Sequence, residues 1–438
     1  MAREQHGSID LVPVRDPLLA EEREALLGAK RPRVALPTLS PTPRRSLPLL
    51  AESRPIDQRT RPRHAVWEIT LRCDQACRHC GSRAGVARPH ELTTDECLDL
   101  VRQIAELGVM EVTLIGGEAY LRPDFLDIVR AIRARDMHCT LTTGGRGLDR
   151  DLARELARAD LGSASVSIDG SEQAHDRLRG AKGSHRDALA AVRALREAGV
   201  RVTVNTQINR LSLPDLPSIL ELLATEGVEA WQIMLTVAMG RAADEPDVLL
   251  QPYDLLELFP LLDALAARSQ ELGIRLYPGN NLGYFGPYES RLRGTMPRGH
   301  GTSCGAGRST LGIESDGLIK GCPSLPSEAW GGGTIRDHAL VDLWERASAL
   351  RYTRDRTVAD LSGFCRTCYY ADTCRAGCTW TASVLFGRPG DNPYCHHRAL
   401  ERDREGLRER LVQREAAPGQ PFDHGMFELV VEPRDGST

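Results

Sequence analysis

Lysine is almost missing from this 438-residue chain: only Lys30, Lys182 and Lys320 occur, although 56 residues are basic and 60 acidic. A net charge of −4 gives no pull toward nucleic acid or an anionic membrane surface, so neither is expected as a partner. The arginine excess reads as genomic composition. Long apolar runs are absent too: nothing approaches the length that spans a bilayer, and the N-terminus lacks the apolar segment of a signal peptide. The expected location is the cytoplasm, where the twelve cysteines are poor disulfide candidates. They cluster in C-x2-C and C-x3-C spacings, which favour metal over cross-links.

The organisation changes along the chain. Residues 1–63 are expected to be an extended, solvated Pro/Arg-rich segment: from Lys30 to Arg63 there are seven prolines and nine basic residues, with only Glu52 and Asp57 acidic. From 64 to 240, strand-like runs (66–71, 111–115, 138–142, 163–168, 201–207, 230–235) alternate with helical ones (94–107, 123–134, 150–158, 186–198, 214–226). Thr93 and Glu96 read as a capping box, and Gly108 and Gly199 stand at helix ends. Six β/α units predict an α/β fold, a partial (β/α)6 TIM-like barrel, with its site at the C-terminal strand ends. Residues 241–299 read as a helical, then Gly/Tyr-rich bridge, and 300–400 as a loop-rich domain that metal must hold together. The remainder, 401–438, reads as helix and tail, with a charged amphipathic helix over 396–416 and a short strand over 427–432.

Cys73, Cys77 and Cys80 follow the first strand in C-x3-C-x2-C spacing. Three thiolates on one loop can hold three irons of a cuboidal cluster and leave the fourth open. Structural zinc wants four ligands, and no fourth Cys or His is suitably placed. This loop resembles the signature of the radical S-adenosylmethionine (radical SAM) enzymes. Gly116-Gly117-Glu118, after the second strand, is similar to that family's G-G-E-P, with Ala119 in place of proline. The resemblance implies that the glycines let backbone approach the methionyl end of the cofactor and that Glu118 accepts from its amino group. Ser165-Val166-Ser167-Ile168-Asp169-Gly170 matches the ribose region, with Ser167 as the hydroxyl contact. Arg179 stands where relatives bind the cofactor carboxylate. Asn205 or Gln207 is placed toward ribose, Leu235 toward adenine, and His79 against the cofactor. Thr143-Gly144 replaces the usual T-N-G.

Seven later cysteines (304, 322, 365, 368, 374, 378 and 395), with Gly317, agree in order and spacing with the SPASM extension of radical SAM enzymes. By resemblance, Cys365, Cys368, Cys374 and Cys395 hold an outer auxiliary cluster, while Cys304, Cys322 and Cys378 hold an inner one. That gives S-adenosyl-L-methionine and three [4Fe-4S] clusters as cofactors. Relatives that oxidise a sulfatase residue have a further cysteine where Arg298 stands and an aspartate where Pro323 stands. The inner cluster is left with an open iron or a ligand from elsewhere. Cys97 and Cys139 read as buried small hydrophobes, with hydrogen-atom donation the other reading.

The resemblance implies reductive cleavage of S-adenosylmethionine to a 5′-deoxyadenosyl radical, which removes hydrogen from a substrate carbon. SPASM enzymes most often act on ribosomal peptides, so the leading expectation is a maturase forming a thioether or carbon–carbon cross-link. Peptide epimerisation and dehydrogenation of a small alcohol or amino sugar stay open, as does a non-enzymatic iron–sulfur electron carrier. The partners implied are a ribosomal precursor peptide, a separate leader-recognition protein and a flavodoxin- or ferredoxin-type reductant. Tyr277, Tyr284, Phe285 and Tyr288 are expected either to wall a peptide side chain or to pack between the domains.

Overall fold

The computed structural model describes residues 51–283, 285–294 and 304–434. Six parallel strands follow one another across a sheet: β1 (His64–Glu68), β2 (Glu111–Ile115), β3 (His138–Thr143), β4 (Ser163–Ser167), β5 (Arg201–Ile208) and β6 (Ala230–Leu235). The helices Thr94–Glu106, Phe125–Arg133, Arg150–Arg158, Ser184–Glu197 and Leu216–Thr225 connect them, with an additional helix, Glu172–Arg179, in the fourth crossover. The local chemistry explains their starts. Thr93 accepts from Glu96 N–H in a reciprocal capping box, and Asp149 accepts from the N–H groups of Asp151 and Leu152.

Alternation along each strand sends Val112, Leu114, Leu141, Val166, Val204 and Ile233 into the helix-facing core, where all are buried. Truncating such a leucine to alanine costs about 2–5 kcal/mol. The opposite face carries Thr113, Thr140, Ser163, Ser165 and Thr203, all half-buried. It is lined by hydroxyls where a closed barrel is filled with branched apolar side chains.

The sheet is wider than six strands. β7 (Arg275–Pro278) adds in parallel beyond β6, β8 (Thr310–Ile313) adds in parallel beyond β1, and β9 (Ile319–Lys320) pairs antiparallel with β8. β7 and β9 end the sheet unpaired with each other, so the barrel is open. Both the bridge and the cysteine-rich region thus contribute strands to it.

Two expectations are corrected. The charged helix over 396–416 stops at Arg404: Gly406 takes a positive φ of 73°, and Leu407–Glu415 becomes β10, antiparallel to β11 (Met426–Pro433). Glu409 and Leu411 then turn inward with the period of a strand. The described end of the N-terminal segment, 51–63, keeps about half of its residues exposed but is not extended throughout. A short helix, Pro55–Arg59, places the fully buried Asp57 between Arg54, Arg351 and Arg354, and Trp344 Nε1 donates to Thr60 C=O at 2.7 Å. Residues 1–50, Tyr284 and Arg298 lie outside the described residues. Among the described residues, no helix is long and apolar enough to cross a membrane.

Candidate active site

The Cys73–Cys77–Cys80 loop leaves the C-terminal end of β1 and is closed at its base by Cys73 N–H to Gly85 C=O (3.1 Å). Buried Arg241, after β6, donates through Nε to Cys77 C=O (2.6 Å) and through Nη1 to Ala84 C=O (3.0 Å), and its N–H reaches Cys80 C=O (3.0 Å). Arg78 pairs with Glu245, and Arg83 with Asp244 and Asp423. None of these clamps was legible in the sequence, because arginines abound and the partners are remote. Burial would raise the Cys80 thiol, but the Arg241 charge and hydrogen bonds from Ser82 and Ala84 outweigh it and hold the thiol below its ordinary value. Burial, with the neighbouring Cys77, raises the Cys73 thiol.

The two glycines after β2 have a structural purpose beside the one expected of them. A Cβ on Gly116 would lie 2.6 Å from Thr70 C=O, and one on Gly117 2.2 Å from Arg72 C=O. The pair lets this turn cross the backbone that leads into Cys73, and Gly117 and Glu118 N–H groups bond to Thr70 and Arg72 C=O (2.8 and 2.7 Å). Glu118 is buried; Oε2 accepts from Gly144 N–H at 2.9 Å, while Oε1 has no partner. Burial pushes its carboxyl up to about 8, against the hydrogen bonds from Thr143 and Gly144.

Arg179 is buried and engaged. Its Nη2 lies 2.6 Å from Asp169 Oδ2, and its Nη1 3.9 Å from Cys77 Sγ. His79 Nε2 is 3.2 Å from the same Asp169 oxygen, so the ring turns toward that carboxylate. Ser167 Oγ donates to Asn205 Oδ1 (3.1 Å), whose Nδ2 donates to Ser165 Oγ (3.2 Å), and Gln207 N–H donates to Asp169 Oδ1 (2.9 Å). Leu235 is buried in the core, and its N–H and C=O are both held by the carboxamide of Asn281 (3.2 and 2.8 Å). Only its side chain remains for a cofactor. Cys97 and Cys139 are fully buried in the apolar core.

The later cysteines fall into two groups. Cys365, Cys368, Cys374 and Cys395 line one small cavity, together with Phe285, Tyr370 and His397. Cys304, Cys322 and Cys378 meet elsewhere, where Thr379 Oγ1 donates to Cys304 Sγ at 3.3 Å and Trp330 and Trp380 pack around them. Burial first, and then the neighbouring thiols, pushes Cys322 up to about 12 and Cys378 up to about 11. Buried thiols crowded in this way are poor acids until a metal displaces the proton. All twelve cysteines are free of disulfides. Among the described residues, no three His, Cys, Asp or Glu side chains converge as on one metal ion. A cluster, with irons at separate corners, asks its ligands only to surround a volume. The donor sets and the orphaned Glu118 oxygen therefore fit a cluster and an amino-bearing cofactor.

Of the aromatic residues before Cys304, Phe285 stacks on Tyr370 (4.4 Å) and Tyr288 on His396 (5.7 Å), while Tyr277 lies on β7, 45% exposed.

The sequence matches the radical SAM superfamily model over residues 67–223. It is 30% identical over 333 residues to the mycofactocin maturase MftC of Mycobacterium ulcerans, covering 75% of this chain and 85% of that protein. It is 29% identical over 349 residues to an AdoMet-dependent heme synthase of Methanosarcina barkeri, covering 77% and 97%. Among solved structures, anSMEcpe with bound AdoMet superposes with a TM-score of 0.59 at 16% identity, covering 77% of this chain and 96% of that one. Streptococcus suis SuiB bound to its precursor peptide SuiA gives 0.58 at 15%, covering 77% and 75%. At such identities these two likenesses speak to fold alone.

Proposed function

The chain belongs to the radical SAM superfamily, and we propose that it is a peptide maturase of that family, forming a thioether or carbon–carbon cross-link at an unactivated carbon. Membership brings S-adenosylmethionine and a [4Fe-4S] cluster. When bound, they supply a one-electron cleavage whose carbon radical takes hydrogen from the substrate.

The chain's own residues have defined tasks in this reading. Cys73, Cys77 and Cys80 hold the first cluster. Glu118 Oε1 accepts from the cofactor's amino group, Arg179 donates to its carboxylate, and Ser167, with Asn205 or Gln207, faces its ribose. Leu235 offers a side-chain wall to adenine. Cys365, Cys368, Cys374 and Cys395 hold an outer auxiliary cluster, and Cys304, Cys322 and Cys378 an inner one. A flavodoxin- or ferredoxin-type protein is the reductant.

Relatives of similar identity act on either peptides or tetrapyrroles by name, and the inner face of the sheet separates the two. Thr113, Thr140, Ser165, Thr203, Asn205 and Gln232 offer hydroxyls and carboxamides that pair with peptide groups. The one lysine or arginine that β1–β6 carry, Arg201, sits at the first position of β5, away from the mouth. A tetrapyrrole with several carboxylates would want guanidinium partners along that face of the sheet. This observation carries the peptide reading.

The test uses anaerobically reconstituted protein with S-adenosylmethionine and dithionite. Short peptides encoded beside its gene are supplied in one arm and an iron tetrapyrrole in the other. A peptide that loses a hydrogen pair by mass spectrometry is the expected result. Turnover of the tetrapyrrole with every peptide untouched would replace the reading.

A further inference from the structure

Asp169 is fully buried at the mouth of the barrel, among groups from the helix Glu172–Arg179, from β5 and from the first cysteine loop. Its N–H donates to His175 Nδ1 (3.1 Å), and Oδ1 accepts from Gln207 N–H on β5 (2.9 Å). Oδ2 lies within ion-pair distance of both Arg179 Nη2 (2.6 Å) and His79 Nε2 (3.2 Å). From the same guanidinium, Nη1 points to Cys77 Sγ at 3.9 Å, and Nε is buried without a partner.

One carboxylate therefore stands between Arg179, which faces the first cysteine loop, and His79, which belongs to that loop. A guanidinium is a rigid planar fork, so fixing one edge fixes where its other donors point. Without an anion behind it, a buried arginine beside a histidine would be an uncompensated charge, free to swing toward water. The Arg179 charge and His79 keep the Asp169 carboxyl ionised in spite of its burial.

We propose that Asp169 is a positioning residue of the reaction: it locks the Arg179 fork so that Nη1 meets the Cys77 sulfur while Nε stays presented to the cofactor carboxylate, and it holds the His79 ring in the same arrangement. This rests on the reading of Arg179 as a cofactor ligand. Asp169 is assigned no contact of its own with cofactor or cluster. Its effect passes through Arg179.

The experiment is a double-mutant cycle on reconstituted full-length protein. Asp169→Asn keeps the volume and removes the charge. Iron per chain is expected to be unchanged, while the Kd for S-adenosylmethionine, by anaerobic titration calorimetry, weakens by about 10- to 100-fold, as for other supporting partners of a metal or cofactor ligand. The paramagnetic resonance shift that the cofactor induces in the reduced cluster should shrink in parallel. In an Arg179→Met background the same Asp169→Asn change should add little, because the residue it acts through is gone.

Wild-type affinity and an unaltered spectrum in Asp169→Asn would overturn the proposal, as would an undiminished effect in the Arg179→Met background. If Asp169→Asn does not fold, Arg179→Lys carries the test. A single ammonium can satisfy Asp169 or reach the sulfur, not both, so unchanged affinity there also overturns it. A wild-type protein that takes up no iron would instead sink the reading of the site, which separates the two failures.

Discussion

Arg83 Nε donates to Asp423 Oδ1 at 2.6 Å across 340 positions of the chain, and Arg83 Nη2 holds Asp244 Oδ1 at 2.8 Å. The turn between the last two strands thereby fastens the loop that carries Cys73, Cys77 and Cys80. The pairing gives the C-terminal hairpin a task in keeping a reactive loop in place, since Asp423 also accepts from Gln420 N–H at 2.9 Å.

Asp423→Ala should therefore loosen the first cysteine loop. Removing one partner of this charged hydrogen bond costs about 1–3 kcal/mol locally. The variant should release iron from that loop faster to an anaerobic chelator, and hydrogen exchange over residues 73–85 should rise. Wild-type release and exchange would make the hairpin a bystander.

Glu118 sets a pH dependence on cofactor binding. Burial pushes its carboxyl up to about 8, so at neutral pH it is largely protonated. Acceptance from an amino group needs the ionised form. Affinity for S-adenosylmethionine should thus rise with pH and level off above about 8, with proton release on binding at pH 7. Glu118→Gln should weaken affinity by roughly 10- to 100-fold, the worth of a charge-assisted hydrogen bond, and flatten the profile. Titration calorimetry in buffers of different ionisation enthalpy reads both effects.

Much of this was legible in sequence where local chemistry decides the outcome. The bounds read for 111–115, 150–158 and 230–235 are the observed ones, because period-two alternation and caps act within a few residues. The cysteine groupings were legible through spacing and family resemblance. The short strands Arg275–Pro278, Thr310–Ile313 and Ile319–Lys320 were not, since remote pairing stabilises them. Residues 407–415 misled because their charge pattern suits a helix face, and only Gly406 and the partner strand favour the extended form. The role of Asp57 was hidden for a related reason: its guanidinium partners Arg351 and Arg354 lie about 300 residues downstream, at separations of 294 and 297 positions.

Asp57 predicts acid sensitivity of the N-terminal strap. Burial alone would raise its carboxyl, but hydrogen bonds from Arg54 and Arg354 and the Arg351 charge lower it to about 2 from 3.8. A carboxyl depressed by folding contributes stability that is fully present above its unfolded value. That stability is lost as pH falls through the folded one, here between about pH 4 and pH 2. A shift of this size corresponds to about 2 kcal/mol. Asp57→Asn should raise hydrogen exchange over 51–63 at pH 7 and abolish the acid-dependent rise expected of the wild type.

Cys378→Ala separates the inner site from the first. Iron should fall from about twelve to about eight atoms per chain, the loss of one four-iron cluster. Cleavage of S-adenosylmethionine without substrate should continue, while modified peptide disappears. A variant that still modifies peptide normally would remove the inner site from the reaction.

Lys320, fully buried, tests how the inner cysteines are anchored. Its ammonium meets Glu314 Oε1 (2.6 Å) and Leu325 C=O (2.7 Å) and lies over the Phe422 ring at 3.9 Å, two positions before Cys322. Arg88 bridges Glu314 (2.9 Å) and Glu68 (3.3 Å), so two cations balance two buried carboxylates where β1 adjoins β8. Burial, partly offset by Arg88 and augmented by Glu314, already pushes Glu68 up to about 7. Lys320→Met would leave Glu314 facing Glu68 with one cation between them, and should cost about 3–5 kcal/mol. Adding Glu314→Leu removes the stranded charge and should recover part of that loss, because a well-packed apolar pair often matches a buried ion pair. Urea midpoints of the single and double variants measure the difference. If the double variant proves less stable than Lys320→Met alone, the network is held by hydrogen bonds to Ser315 and Ser327 more than by charge balance.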